Sequence, residues 1–367
     1  MIYGARVRQA RELRGMTQAE LAEKVKRDQS LIAHVENGLK EPSDELLSAI
    51  AFRLELPVSF FSKPPETQLP GGSLLWRAHA SITRKEATEA LRHAEIVFSL
   101  GVHLIQRVNP LPVRLVPRSE RPKEAARHTR MALAIDALTP IPRLIRTLEK
   151  AGIWVLPIPK LEGRDAFSIW AEINGLDIPV MAVSVGQPGD RLRYNIAHEL
   201  GHLVLHKTLP MKSMGDIEDE ANTFAAEFLL PEKAMTMELK PPITLTSVAR
   251  LKPRWGVSMQ AIIRRAYDLN IITERQYRYL FQQLSAKGWR TAEPANLSVQ
   301  VEKPRLIAKL AEVAYPSSSR YAKLAGEAHI LEEEVKKILQ HFAGKEDFDD
   351  GPSPTSKVVT FQKKVKV

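Results

Sequence analysis

The 367-residue sequence contains no cysteine. That absence excludes disulfides, thiolate-bound zinc, iron–sulfur clusters and any cysteine nucleophile. A metal would have to sit on His, Asp or Glu. Long hydrophobic runs are missing as well: no stretch approaches the ~18 uninterrupted apolar residues that a bilayer span needs. The opening Met1-Ile2-Tyr3-Gly4-Ala5-Arg6-Val7-Arg8 carries charge and lacks the apolar centre of a signal peptide. These absences set the expectation of a cytoplasmic protein without a membrane partner. What is present is ordinary for a soluble globular chain, with 44% hydrophobic and 26% charged residues. At roughly 150 residues per domain, the length implies two or three domains. Lys and Arg total 53 against 43 Asp and Glu, for a net charge of +10. Such a balance suits a polyanionic partner, and composition alone supports that only weakly.

Periodicity predicts an α+β chain that is mostly α. Residues 1–61 read as short amphipathic helices. A Pro/Gly-rich stretch from Ser62 to Ser73 then opens a connector over 62–137, which holds one long helix at 83–108. Thr139-Pro140-Ile141-Pro142 opens another helix that stops at Gly152. Two-residue alternation predicts strands at 153–157, 167–173 and 178–185, the last two joined by a turn at Asn174-Gly175. Helices then dominate to about Leu339, ending with 304–314 and 321–339, and 346–367 reads as a disordered basic tail. The expected domains are 1–61, 138–290 and a helical segment at 291–345. Helices at 258–266 and 273–284 fit either a second helix-turn-helix or simple packing, and packing is the plainer reading.

Near the N-terminus, Thr17 and Glu20 form a capping-box pattern, and Gly38 closes a second helix that begins at Gln29. Two short helices across a tight turn, preceded by a basic helix, make a helix-turn-helix. Leu31, Ile32 and Val35 would face the core, leaving Gln29, Ser30, Ala33 and His34 pointing outward, where Gln and Ser suit the reading of base edges. Thr17-Gln18-x-x-Leu21-Ala22, Ile32, Glu36-Asn37-Gly38 and Pro42 resemble the XRE (Cro-like) DNA-binding domain, a five-helix lambda-repressor-like fold. The resemblance implies that Gln29, Ser30 and His34 read bases, Gln18 meets a phosphate, and Asn37 and Lys40 touch the backbone of an operator in double-stranded DNA. Binding as a homodimer is a further expectation from it.

The second constellation is His198-Glu199-Leu200-Gly201-His202, an HExxH pattern. On a helix, residues four apart share a face at ~6 Å of rise, so two imidazoles can meet one zinc. Glu199, about 100° away, is placed to deprotonate water. Chance alone gives HExxH in roughly two such chains in a hundred, so the motif needs support. His206 lies ~12 Å along the axis from His198, too far to be a third ligand. It fits a place behind the ligands or, slightly better, an ordinary partly exposed His. Support comes from a helix after Asp216, its expected N-cap, whose apolar face holds Ile217, Ala221, Phe224, Ala225, Phe228 and Leu229. Glu218 flanks that face and would need a partner if buried, which makes it the expected third ligand. Asn222 lies one turn on as its neighbour, and Glu220 is the reserve ligand. Asp219 and Glu227 are expected to point into solvent.

Residues 197–206, with Glu218-x-x-Ala221-Asn222-x-Phe224-Ala225-x-x-x-Leu229-Leu230-Pro231, resemble the ImmA/IrrE zinc metallopeptidases. The resemblance implies a gluzincin-like zincin fold with one zinc per chain, and cleavage of a partner protein, a transcriptional repressor. Zinc would sit on His198, His202 and Glu218, with Glu199 as general base and the strand at 178–185 as an edge for extended substrate. Tyr194 fits an oxyanion partner less well than a packed aromatic, and Arg193 fits a structural tie. The rival reading is an XRE-type regulator or antitoxin whose peptidase-like domain is a non-catalytic sensor or dimerisation module.

Overall fold

A computed structural model describes residues 1–64, 83–109, 111–118, 121–159, 166–173, 175–207, 213–317 and 319–343. Most of the expected linker, Asn174 and the basic tail lie outside the described residues. The chain divides into two compact units, one of residues 1–111, 156–161 and 303–367, the other of 112–155 and 162–302.

The first unit begins with α1 (Gly4–Leu13), α2 (Gln18–Lys24), α3 (Gln29–Glu36), α4 (Asp44–Leu54) and α5 (Val58–Phe61). The expected capping box is formed at α2: Thr17 accepts from the Glu20 N–H, and the Glu20 carboxylate accepts from the Thr17 N–H. Past α3, Gly38 adopts φ +70°, a left-handed backbone that closes the helix without a Cβ penalty. Leu21, Ile32, Val35, Leu54, Phe60 and Phe61 are buried. Glu36 is buried too, and Arg11 grips it with two bonds of 2.6 and 2.9 Å. The long helix α6 (Arg84–Ile105), started by a Thr83–Glu86 capping box, packs along α1.

In the second unit, α7 (Pro122–Ala132) carries Pro122 at its first position, where a missing N–H costs nothing. The helix expected after Pro140 starts later, as α8 (Leu144–Lys150), because its N-terminal cap comes from far away. The Glu302 carboxylate accepts from the N–H groups of Leu144 and Ile145 at 3.0 and 2.9 Å. The strands β1 (Trp154–Ile158), β2 (Ala166–Ile173) and β3 (Leu176–Ser184) form one sheet in the order β1-β3-β2. β2 and β3 are antiparallel, with Ile173 opposite Leu176 and Gly175 in the turn at φ +77°. β3 is therefore the central strand. Its expected role as a free edge is corrected: it is paired on both sides, and β2 is an edge.

The helix α9 (Gly189–Leu205) lies against β2, β3 and α10 (Met214–Leu229). A Cβ added at Gly201 would meet the Ala221 Cα at 3.2 Å, so glycine lets α10 approach α9 closely. The N-cap of α10 is Ser213, whose hydroxyl accepts from the Asp216 N–H; Asp216 belongs to the first turn and is not the cap. Next come α11 (Glu232–Glu238), α12 (Leu245–Trp255), α13 (Met259–Asp268) and α14 (Glu274–Ala286), packed on Phe224, Phe228, Trp255, Ile262 and Leu284. Asp219 is exposed as expected, but Glu227 is 1% exposed. Its carboxylate pairs with Arg265 of α13 and with Arg127 of α7, because α7 covers the side of α10 that the apolar pattern leaves to solvent. Arg193 is a structural tie, donating to the carbonyls of Gly256 (3.0 Å) and Ile141 (2.5 Å) and pairing with Glu302.

The chain then returns to the first unit as α15 (Leu306–Ala314), α16 (Arg320–Ala328) and α17 (Glu332–Leu339). The first two pack on α6. The single helix expected over 321–339 is broken at His329, which adopts φ +53° while the Ile330 N–H returns to the Ala325 carbonyl. No glycine or proline marks this break.

Candidate metal centre and DNA-binding face

On α9, His198 and His202 point their Nε2 atoms to within 3.1 Å of each other. Close packing of α10 brings Glu218 to the same spot, its two oxygens 3.1 Å from His198 Nε2 and 3.4 Å from His202 Nε2. Two imidazole nitrogens and the two oxygens of one carboxylate thus form a triangle of three side chains, with separations of 3.1, 3.1 and 3.4 Å. A tetrahedral zinc with bonds of ~2.0–2.1 Å separates its ligands by ~3.3 Å. The fourth member of the group is Glu199, with a carboxylate oxygen within 4.8 Å of both imidazole ligand atoms.

The hydrogen bonds behind the triangle fix its protons. Asn222 Oδ1 lies 3.1 Å from His198 Nδ1, so that nitrogen is the donor and Nε2 keeps a lone pair. His202 Nδ1 lies 3.1 Å from His206 Nδ1, and His206 Nε2 lies 3.0 Å from a Glu220 oxygen. Read from the carboxylate inward, His206 donates to Glu220 through Nε2 and accepts through Nδ1. His202 then donates through Nδ1 and turns a lone pair inward. With both rings neutral in these tautomers, three acceptors face one another across the triangle, an arrangement that repels unless a cation or a shared proton lies between them. The donor set fits zinc. Burial opposes a charged His198, but its bond to Glu218 and the nearby charges of Glu199 and Glu218 outweigh that and raise its pKa. Burial pushes Glu218 up, yet the bonds from His198 and His202 hold it well below the ordinary carboxylate range.

In the N-terminal helices, Gln29, Ser30 and His34 are exposed on one side of α3 while Ile32 and Val35 are buried on the other. Asn37 and Lys40 are exposed beyond its end, and Arg8 donates to Asn37 Oδ1 at 2.5 Å. Gln18 differs from its neighbours: its amide donates to the Glu36 carboxylate at 2.8 Å, inside the same domain.

Residues 148–267 match the IrrE N-terminal-like domain, and residues 7–61 match the helix-turn-helix family. The chain joins a helix-turn-helix domain to an IrrE N-terminal-like domain. The first is a DNA-binding domain and the second a metallopeptidase-type domain. No curated protein matches the chain. Among solved structures, Bacillus thuringiensis PlcR in complex with the peptide PapR7 and DNA aligns at 12% identity over 92% of this chain and 91% of that one, with a TM-score of 0.16. Among the described residues no helix is long and apolar enough to cross a membrane.

The IrrE N-terminal-like domain holds three groups whose places the sequence pattern did not reveal. Ser168 of β2 donates to Glu199 Oε2 at 2.6 Å, anchoring one oxygen of the buried carboxylate. His206, 2% exposed, is not the partly exposed residue that its place past the helix suggests. Glu220, the reserve ligand, binds His206 instead of joining the triangle. The sequence signal for the last two was helical spacing, His206 one turn past His202 and Glu220 two residues past Glu218. Tyr194, one turn before His198, is half-buried, and burial with the Asp268 carboxylate raises its phenol pKa.

Proposed function

We propose that the chain is a DNA-binding zinc metalloendopeptidase that hydrolyses a peptide bond in a partner protein, a transcriptional repressor. The observation that carries this reading is the triangle of His198, His202 and Glu218 beside Glu199. His198, His202 and Glu218 would hold zinc, which would supply Lewis acidity toward a carbonyl and toward water. His198 and His202 would serve as neutral ligands because Asn222 and His206 accept hydrogen bonds from their Nδ1–H groups and keep Nε2 free of a proton. Glu199 accepts the proton of the attacking water and returns it to the departing amine. Ser168 holds that carboxylate in one rotamer while it does so. Extended substrate pairs with the edge of β2, by main-chain hydrogen bonds. At the other domain, Gln29, Ser30 and His34 read base edges in a major groove, with Asn37 and Lys40 on phosphates. Gln18 reaches a phosphate while its position is set by Glu36.

The test compares zinc-loaded wild type with Glu199→Gln. New protein amino termini are counted after incubation with extract of the host cell, alongside zinc content and DNA affinity. The expected result is site-specific new termini with the wild type, none with Glu199→Gln, and equal zinc and DNA binding in both. Full zinc occupancy without any cleavage by the wild type would overturn the enzyme reading and leave a regulator built on a peptidase fold.

A further inference from the structure

Most of the chain's excess positive charge falls in one stretch. Between Arg250 and Arg290 there are nine Lys and Arg against two acids, Asp268 and Glu274, while the whole chain carries a net +10. The stretch spans α13 and α14 with the end of α12. α14 lies past residue 267, where the match to the IrrE N-terminal-like domain ends. Burial and pairing take several of these cations off the surface. Lys252 and Arg265 are buried, on Asp190 and Glu227 respectively. Arg254 meets Glu238 at 3.0 Å, and Arg264 meets Asp268 at 2.8 Å. Arg250, Arg275, Lys287 and Arg290 are exposed, and no carboxylate pairs with them among the described residues.

The fold gathers the last three of these on one helix and its end. Leu280 and Leu284 turn one side of α14 into the core. The other side exposes Arg275, Arg278, Tyr279 and Gln282, at spacings of three and four that make them neighbours. Arg278 is tied to Glu274, and from there to Glu293 the sequence holds no further acid. Tyr279 is 58% exposed, a large ring kept at the surface. Past the helix, Lys287 Nζ sits 5.1 Å from the Trp289 ring centroid, and the Arg290 guanidinium 5.6 Å from that of Phe281. Rings under both cations limit their freedom, so less entropy is lost when they meet an anion. Arg, Lys, Tyr and Gln are all side chains that donate to phosphates of DNA. The pair α13–α14 fits packing or a second helix-turn-helix by sequence, and its helices divide the two roles. α13 buries Ile262 and Ile263 and commits its exposed Arg264 to Asp268, whereas α14 keeps free donors on its outer side.

We propose that the exposed side of α14, with Lys287 and Arg290 at its end, is a second DNA-binding surface that grips the phosphate backbone of duplex DNA. This goes beyond the metallopeptidase reading and does not depend on it. Contacts to phosphate carry no sequence information, so the surface adds affinity and leaves base reading to the helix-turn-helix. It would also keep the peptidase-type unit on the duplex, within reach of proteins bound there. Fluorescence anisotropy of the full chain on a long labelled duplex of random sequence, over a series of KCl concentrations, tests it. The logarithm of the affinity falls with that of the salt concentration by about 0.9 for each phosphate neutralised. Arg275→Ala, Lys287→Ala and Arg290→Ala combined should therefore flatten the slope by roughly 2 to 3. Arg114→Ala, Arg191→Ala and Lys233→Ala combined remove three other exposed cations of the same unit and should leave the slope as it is. An unchanged slope in the first variant, or an equal flattening in the second, would overturn the surface. So would a wild-type chain that fails to bind the duplex.

Discussion

His206 stands behind His202 with its Nδ1 3.1 Å from His202 Nδ1 and its Nε2 3.0 Å from Glu220, so it bears on which nitrogen of His202 carries a proton. Removing it leaves His202 free to adopt the wrong tautomer and to rotate. His206→Ala and Glu220→Gln should each weaken zinc binding by roughly 10–100-fold, measured by competition with a chromophoric chelator. Glu218→Ala should weaken it further, because a ligand is lost; an equal loss from Glu220→Ala would reverse the assignment of the two carboxylates. Helical arithmetic was sufficient to bring His198, Glu199, His202, Glu218 and Asn222 together, since each needs only the right face of one of two adjacent helices. It was silent on Ser168, whose role arises where β2 crosses α9 thirty-one residues away in sequence.

Between elements, the buried Arg265–Glu227 pair ties α13 to α10 and is extended to α7 through Arg127. Glu227→Ala would leave the Arg265 guanidinium, 2% exposed, without its carboxylate. Stranding a buried charge costs about 3–5 kcal/mol, so the thermal midpoint of this unit should fall markedly. Glu227→Gln should lower it less, and a midpoint unchanged in Glu227→Ala would show that solvent reaches Arg265. The helix pattern hid this pair because a glutamate on the polar side of α10 looks solvated until α7 is laid over it. Strand existence was legible from alternation, but strand order was not: β3 alternates no differently whether it is central or at an edge. The break at His329 was equally invisible, for a histidine there takes a backbone conformation that usually belongs to glycine or asparagine.

At the scale of the molecule, the helix-turn-helix and the metal centre lie in different compact units. Zinc that binds only the folded second unit stabilises it by about 2.7 kcal/mol at a hundredfold excess over Kd. Chelation should therefore lower the unfolding temperature of that unit and leave DNA affinity at low occupancy of substrate unchanged, as judged by calorimetry and fluorescence anisotropy. A parallel loss of DNA binding would mean that the two units share their stability.

The first unit is assembled mainly from both flanks of the chain, residues 1–111 and 303–367 with a short piece at 156–161, and most of the peptidase-type unit is inserted between the flanks. On the ribosome the reading-head helices emerge first, but α15 and α16, which pack on α6, are made only after the whole peptidase-type unit has left the exit tunnel. A vectorially synthesised chain therefore completes the inserted unit before it completes its host. A fragment cut at the end of α5 or α6 carries the helix-turn-helix without the helices that finish its unit.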